Sequence, residues 1–180
     1  MLFRSDRLVE IQRQFPGRFL ALPSYDASLG DVPDRIAADH RRYGLAGVCI
    51  LPICDDRPAD DPANDPIYDY CSRSEIPVWI HSVNTWSEKH PSDFSHPRCA
   101  DRTACRFDRL KIILGHGGWP WVGEAVAIAW RHPNVYLEPS AFRWKHLAAP
   151  GGGWEPLLLY GDTTIADKVL LDRKSTRLNS

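Results

Sequence analysis

Two histidines stand at the ends of apolar segments, where a side chain can take part in chemistry. His81 follows the segment 77–80 (PVWI), and His116 follows the segment 112–115 (IILG). If each segment is a strand, its rigid backbone aims the imidazole at the edge of a sheet, as a metal ligand or an acid/base group requires. Glycines at 115, 117 and 118 would also permit close approach of the backbone to a ligand. The alternative is that both rings only form hydrogen bonds to loop carbonyls.

Alternating strands and helices are predicted to position these histidines. The spacing of Leu8, Ile11 and Phe15 predicts a helix that begins near Ser5. The run 47–52 (GVCILP) is typical of a strand buried on both faces, as in a parallel sheet. Six strands are predicted, at 18–22, 47–52, 77–81, 110–116, 134–137 and 168–171, and the further helices are predicted to begin at 31, 65, 99 and 121.

This order predicts an α/β fold built from right-handed βαβ units of about thirty residues. Doubly wound sheets and TIM barrels share the order, but the GxGxxG and GxxxxGK motifs of phosphate-binding doubly wound folds are absent. Polar residues follow the predicted strands, among them Asp55 and Asp56 after one strand and Glu138 and Ser140 after another. TIM barrels build their active sites at the carboxyl ends of strands. We therefore expect a partial TIM barrel, with about six of the eight strands present.

Composition excludes several classes of partner. The chain has 22 basic and 23 acidic residues, a net charge of -1, so nucleic acid and anionic membranes are not expected as partners. No apolar run approaches the ~20 residues needed to cross a bilayer. Arg4 and Asp6 argue against a signal peptide at the amino terminus. The five cysteines, at 49, 54, 71, 99 and 105, form no CxxC motif, and we expect them to be reduced in a cytoplasmic protein.

Several segments resemble one enzyme family. PVWIH (77–81) and LKIILGHGGWPWVGEAVAIAWRHPNVYLEPS (110–140) resemble the amidohydrolase superfamily, in the group that includes aminocarboxymuconate-semialdehyde decarboxylase and gamma-resorcylate decarboxylase. FPGRF (15–19) and GLAGVCILP (44–52) resemble the preceding part of the same family. The resemblance extends over nearly all of residues 15–171.

The resemblance implies a (β/α)8 barrel with a divalent metal, commonly zinc, at the carboxyl ends of its strands. It implies that His81 is the metal ligand of the fifth strand and that His116 is the acid/base group. Trp119, close to His116 in the sequence, is expected either to pack in the core or to form a wall on which a substrate stacks.

The chain departs from the family pattern at two motifs, which together supply three of the four metal ligands. Its seven histidines, at 40, 81, 90, 96, 116, 132 and 146, contain no HxH motif. The family's eighth strand leads into a Gly-Thr/Ser-Asp sequence, whereas here Leu171 is followed by DRKSTRLNS. One of the four family ligands therefore remains, and zinc binding by this chain is expected to be weak or absent.

The carboxyl-terminal sequence 172–180 resembles one reading frame of a common short-read sequencing adapter. We therefore expect one partial barrel domain at 1–171, followed by a non-native tail at 172–180. A natural terminus without regular structure is the alternative.

Two classes of function remain open. The first is a metal-dependent enzyme for a small carboxylated or cyclic substrate, of which this chain would be an inactive fragment. In a hydrolase, the metal would lower the pKa of bound water to about 7 and His116 would shuttle the proton. In a non-oxidative decarboxylase, His116 would protonate the ring carbon as carbon dioxide leaves. The second class is a non-enzymatic remnant of a barrel, whose open sheet edges would favour a homo-oligomer.

Overall fold

Four short parallel strands form one sheet in the part of the chain that the computed structural model describes, residues 5–85 and 87–170. They are β1 (Val48–Ile50), β2 (Val78–His81), β3 (Ile112–Gly115) and β4 (Val135–Glu138). Their spatial order is β1-β2-β3-β4, so each strand pairs with the next strand in the sequence. The predicted parallel α/β architecture is confirmed over these residues.

Helices alternate with the strands, as predicted. The longer ones are α1 (Ser5–Gln14), α2 (Val32–Tyr43), α4 (Asp65–Arg73), α5 (Pro97–Arg106) and α6 (Val122–Arg131). Shorter ones are α3 (Pro52–Asp55), α7 (Trp144–Leu147) and α8 (Glu155–Tyr160), with 3-10 turns at Pro62–Asn64, Ser92–Ser95, His116–Gly118 and Ala166–Lys168. Gly44 ends α2 in the left-handed conformation (φ 63°), and its N–H donates to the His40 carbonyl at 2.8 Å.

The first and last predicted strands are reduced to isolated bridges. Residues 18–22 form no strand, and the chain meets β1 only at Ser24, which pairs with Cys49. Pro23 lacks the N–H that a continued ladder would need, so its carbonyl alone takes part by accepting from Cys49 N at 2.9 Å. At the other edge Val169 pairs with Leu137. Leu171 and the tail 172–180 lie outside the described residues.

The register places side chains of opposite character on the two faces of the sheet. On the helical face, Val78, Ile80, Ile112, Leu114, Val135 and Leu137 are 0–2% exposed. The helices α5 and α6 pack against β3 and β4 respectively. On the other face, which we call the open face, lie the partly exposed side chains of Trp79, His81, Ile113, Tyr136 and Glu138. Of the two faces of the sheet, the open face is therefore the one whose strand side chains are accessible to solvent.

The five cysteines are free thiols, and Cys49, Cys71 and Cys99 are buried. Burial raises the pKa of each of these three thiols to about 12, so they are protonated at neutral pH and unreactive. In the described part of the chain, no helix combines the length and the apolar character needed to cross a bilayer.

Candidate active site

The sheet brings the two predicted histidines together at the carboxyl ends of β2 and β3. His81 is the last residue of β2 and lies in register with Gly115, the last residue of β3. His116 comes directly after Gly115, and its ring centroid lies 5.1 Å from that of His81, with the planes 80° apart. The expectation that both rings share one end of the sheet is confirmed.

A strained backbone turns His116 back toward the sheet. Its φ is 60°, in the left-handed region that a non-glycine residue rarely occupies. The next two residues, Gly117 (φ 64°) and Gly118 (φ 75°), continue this turn. Left-handed backbone at a non-glycine residue costs about 1–2 kcal/mol, and such strain concentrates at functional sites.

A chain of hydrogen bonds determines which nitrogen of His116 carries the proton. His116 Nδ1 lies 3.0 Å from the Ser140 hydroxyl and 3.2 Å from the Ser140 carbonyl. The hydroxyl donates its own hydrogen to Glu138 Oε2 at 2.7 Å, so it can only accept from His116, and the carbonyl can only accept. Nδ1 is therefore the protonated nitrogen of the neutral ring, and Nε2 keeps its lone pair.

Glu138 is held by three donors. Its Oε1 accepts from the backbone N–H of Ser140 at 2.7 Å, and its Oε2 accepts from the Ser140 hydroxyl and from Trp79 Nε1, the latter at 3.3 Å. The negative charge of Glu138 lies one hydroxyl group away from His116. It would stabilise a positive charge on that ring when Nε2 takes up a proton.

Trp79 is the aromatic side chain that contacts the histidines. Its ring centroid lies 5.2 Å from that of His116 and 6.1 Å from that of His81, in edge-to-face arrangements. Sequence reasoning missed this role, although a signal was available. Trp79 precedes His81 by two residues, and residues two apart in a strand share a face.

His81 is a half-buried imidazole whose Nδ1 atom is buried and unsatisfied. Among the described residues its Nδ1 has no hydrogen-bond partner. Burial first, and the nearby His116 second, lower the pKa of His81 to about 4. The ring is neutral at neutral pH, the form that can coordinate a metal.

The described residues do not by themselves form the metal site that the resemblance implies. The unsatisfied nitrogen of His81 suits a ligand role, but at least three protein ligands are usual for a bound zinc ion. Within 5–85 and 87–170, the one group of three ligating side chains is Asp101, Cys105 and His132, which does not include His81. His81 alone therefore does not make a metal site within these residues.

Trp119 lies in a separate aromatic cluster. Its Nε1 donates to the Gly152 carbonyl at 3.1 Å, and its ring packs 5.6 Å from that of Phe142. Phe142 in turn packs 4.8 Å from Trp154. A substrate-stacking role for Trp119 stays a prediction, and the contacts seen are packing contacts.

The glycines around His116 make room for side chains of the protein itself, and close approach of their backbone to a ligand stays a prediction. A Cβ at Gly115 would lie 2.0 Å from a ring carbon of Trp79, and one at Gly117 would lie 2.6 Å from Trp154. At Gly118 a Cβ would lie 2.7 Å from the Ala125 side chain. The space beside each glycine is filled by the protein itself.

A cavity of about 270 Å³ opens where β1 ends, at the same end of the sheet as the histidines. Its lining includes Tyr25, Asp55 and Arg57. Burial raises the pKa of the Asp55 carboxyl above its usual value. Arg57 Nε donates to the Asp55 carbonyl at 3.1 Å, which orients the guanidinium at this cavity.

Comparisons with known proteins agree with this geometry. The sequence profile of the amidohydrolase family matches residues 3–171. A search of curated protein sequences gave no significant match. Among solved structures, an uncharacterised TIM-barrel protein from Bordetella bronchiseptica is similar with a TM-score of 0.75 and 24% identity, covering 93% of this chain and 58% of that one.

Two decarboxylases have the same fold. The 5-carboxyvanillate decarboxylase from Sphingomonas paucimobilis superposes with a TM-score of 0.67 at 18% identity, over 93% of this chain and 59% of its own. The 5-carboxyvanillate decarboxylase from Novosphingobium aromaticivorans, determined with bound manganese, gives 0.64 at 15% identity, over 93% and 58%. The chain thus spans less than two thirds of the length of these relatives. The chain belongs to the amidohydrolase family, and its sheet and helices are part of a TIM barrel.

Proposed function

We propose that this chain carries the acid/base part of an amidohydrolase-family active site for a small carboxylated or cyclic substrate, with His116 as the acid/base group. The observation that carries the proposal is the fixed His116 ring. Its Nδ1 is bound by Ser140, and Nε2 keeps its lone pair beside His81.

The proton chemistry follows from this arrangement. Nε2 of His116 takes up a proton, and Glu138 stabilises the resulting imidazolium through the Ser140 hydroxyl. In a decarboxylation the protonated ring delivers this proton to the carbon from which carbon dioxide departs. In a hydrolysis the neutral ring takes the proton from water and returns it to the leaving group. Decarboxylation is the first activity to assay, since decarboxylases are among the similar structures.

Three further roles belong to this proposal. His81 would be a ligand of the metal in the active site, and a divalent cation such as zinc or manganese would need additional ligands there from outside the described residues. Arg57, at the cavity beyond β1, would bind a substrate carboxylate through its guanidinium. Trp119 would stack against a ring of the substrate.

The test compares this chain with the longer protein that its flanking coding sequence specifies. Each is supplied with Mn²⁺ or Zn²⁺ and assayed for carbon dioxide release from 5-carboxyvanillate and 2,6-dihydroxybenzoate, and for hydrolysis of cyclic amides. His116→Asn is the informative variant, because Asn tolerates a positive φ and the turn is preserved. His146→Asn, at an exposed histidine in α7, is its matched control.

Activity of the longer protein that is lost in His116→Asn and kept in His146→Asn supports the proposal. Activity that survives His116→Asn refutes the role of His116. If the flanking sequence lacks an HxH motif and an eighth-strand Asp, and neither protein is active, the non-enzymatic remnant is the correct reading.

A further inference from the structure

We propose that Asp101, Cys105 and His132 form a zinc-binding site at the end of the sheet opposite the histidine pair. His132 precedes β4 by a short link, so it lies at the amino end of that strand, whereas His81 ends β2 at its carboxyl end. Cys105 lies in the last turn of α5, which leads into the amino end of β3. The two groups of ligands are thus separate, and the proposal does not depend on the proposed enzymatic function.

The three ligating atoms are already close together. Asp101 and Cys105 are four residues apart on α5 and therefore share one face of that helix. His132 Nε2 lies 2.7 Å from Asp101 Oδ1, and all three ligand atoms lie within 4.8 Å of one another. Tetrahedral zinc with bonds of 2.0–2.3 Å needs ligand atoms roughly 3.3–3.8 Å apart. Small side-chain rotations can provide that spacing.

The backbone of His132 is held firmly. The residue is 9% exposed, its N–H donates to the Ile128 carbonyl at 3.0 Å, and its own carbonyl accepts from Lys168 Nζ at 3.2 Å. Cys105, by contrast, is exposed. The site therefore combines a fixed imidazole with a side that is open to solvent, where water can complete the coordination.

A cationic group already occupies this cluster. The guanidinium of Arg131 lies 3.2 Å from Asp101 Oδ1 and 3.8 Å from Cys105 Sγ. Two of the three proposed ligands thus bind a positive charge in the described structure. The Arg131 side chain is 63% exposed, so it can turn into solvent when a metal ion replaces it.

The ligand set favours zinc over magnesium or calcium, because thiolate and imidazole prefer softer cations. On binding, the Cys105 thiol loses its proton to the buffer and its sulfur bonds to the metal. His132 moves its ring proton to Nδ1 and coordinates through Nε2, while Asp101 exchanges its hydrogen bond with that nitrogen for a bond to the metal. One proton is released for each zinc ion bound.

Cobalt(II) is the first probe, because a cobalt–thiolate bond gives an ultraviolet charge-transfer band. The reduced full chain, carrying His81→Asn to exclude binding at the histidine pair, should take up one Co²⁺ with such a band, and Zn²⁺ should displace it. Cys105→Ser should abolish the band. Cys54→Ser is the matched control, since Cys54 is also an exposed free thiol, and it should leave the band intact.

Arg131→Gln separates a metal site from a simple ion pair. Removing the competing guanidinium should tighten Zn²⁺ binding roughly two- to fivefold, the size of one exposed ion pair. His132→Gln should weaken Zn²⁺ binding at least about tenfold. Both Cys105 and Arg131 are exposed, so their variants can be expected to fold. The absence of a cobalt–thiolate band, or a band unaffected by Cys105→Ser, would overturn the proposal.

Discussion

A single methyl group at Gly115 should destabilise the protein, because Trp79 already occupies the space beside it. The backbone is not the obstacle, since φ of -67° and ψ of 145° suit any residue. The Cβ of Gly115→Ala would lie 2.0 Å from one ring carbon of Trp79 and 2.3 Å from another, against ordinary contacts of 3.4 Å or more. The indole must move, and it then loses its hydrogen bond to Glu138 at 3.3 Å and its edge contact with His116.

The expected cost is about 2–3 kcal/mol. Overpacking of a fitted site costs about 1–3 kcal/mol, and the partly exposed hydrogen bond adds about 1 kcal/mol at most. In a Trp79→Ala background the same methyl group meets no ring. Gly115→Ala should then be neutral or stabilising by about 0.4–1 kcal/mol, since alanine loses less backbone entropy than glycine on folding. The double-mutant cycle should therefore show a coupling energy of about 2–4 kcal/mol.

Urea denaturation followed by far-ultraviolet circular dichroism measures all four proteins without relying on tryptophan fluorescence. Gly123→Ala in α6 is the control, because its Cβ would make an ordinary 3.6 Å contact with Pro156. That substitution should stabilise by about 0.5–1 kcal/mol. An equal cost of Gly115→Ala with and without Trp79 would refute the steric explanation.

Three other variants test the site and its support. The pKa of His81 is lowered to about 4 from 6.5, so the unfolded chain binds more protons between these values. The contribution of His81 to stability is complete above pH 6.5 and is lost as the pH falls toward 4. His81→Gln should therefore make the urea midpoint less dependent on pH between about 4 and 6.5. If the substitution leaves the pH profile unchanged, the lowered pKa of His81 does not contribute to stability. Ser140→Ala should lower the free energy of unfolding by about 0.5–1.5 kcal/mol in urea denaturation. Nitrogen-15 NMR of the unsubstituted chain should show that Nδ1 of His116 carries the proton, and a proton on Nε2 instead would reject the hydrogen-bond assignment. Asn134→Ala removes the amide that donates to the Leu110 carbonyl at 2.6 Å. Because that carbonyl is buried, the substitution should lower the free energy of unfolding by about 1–3 kcal/mol in thermal denaturation. A cost near zero would mean that water replaces the amide.

The central strands can be predicted from the sequence because strands buried in a parallel sheet have continuous apolar runs. The same rule fails at residues 18–22, where Leu20 is 72% exposed. An apolar run reports the hydrophobicity of a segment but not whether a neighbour is available for pairing. At that edge Pro23 limits the ladder, and the bridge forms one residue later, at Ser24.

The position of the histidine pair follows from strand ends, which the sequence marks well. The details of the site do not follow, because they depend on contacts between residues far apart in the chain. Nothing in the sequence near Glu138 shows that its carboxylate accepts from Trp79, which is 59 positions away. The third ligand of the proposed zinc site likewise depends on packing between residues that are far apart in the sequence. Asp101 and Cys105 have the helical spacing of neighbours, but only the packing of α6 on α5 adds His132.

The pairing order of the strands has a consequence for how the molecule opens. Each strand pairs with its sequence neighbours, so the sheet resembles a linear array in which every βα unit contributes one interface to the next. Opening of such an array begins at its ends, where, within residues 5–85 and 87–170, β1 and β4 are flanked only by the isolated bridges at Ser24 and Val169. Amide hydrogen exchange should therefore be slowest in β2 and β3, whose ladders are flanked on both sides. Those two strands carry His81 and lead into His116, which places the histidine pair on the part of the sheet that opens last.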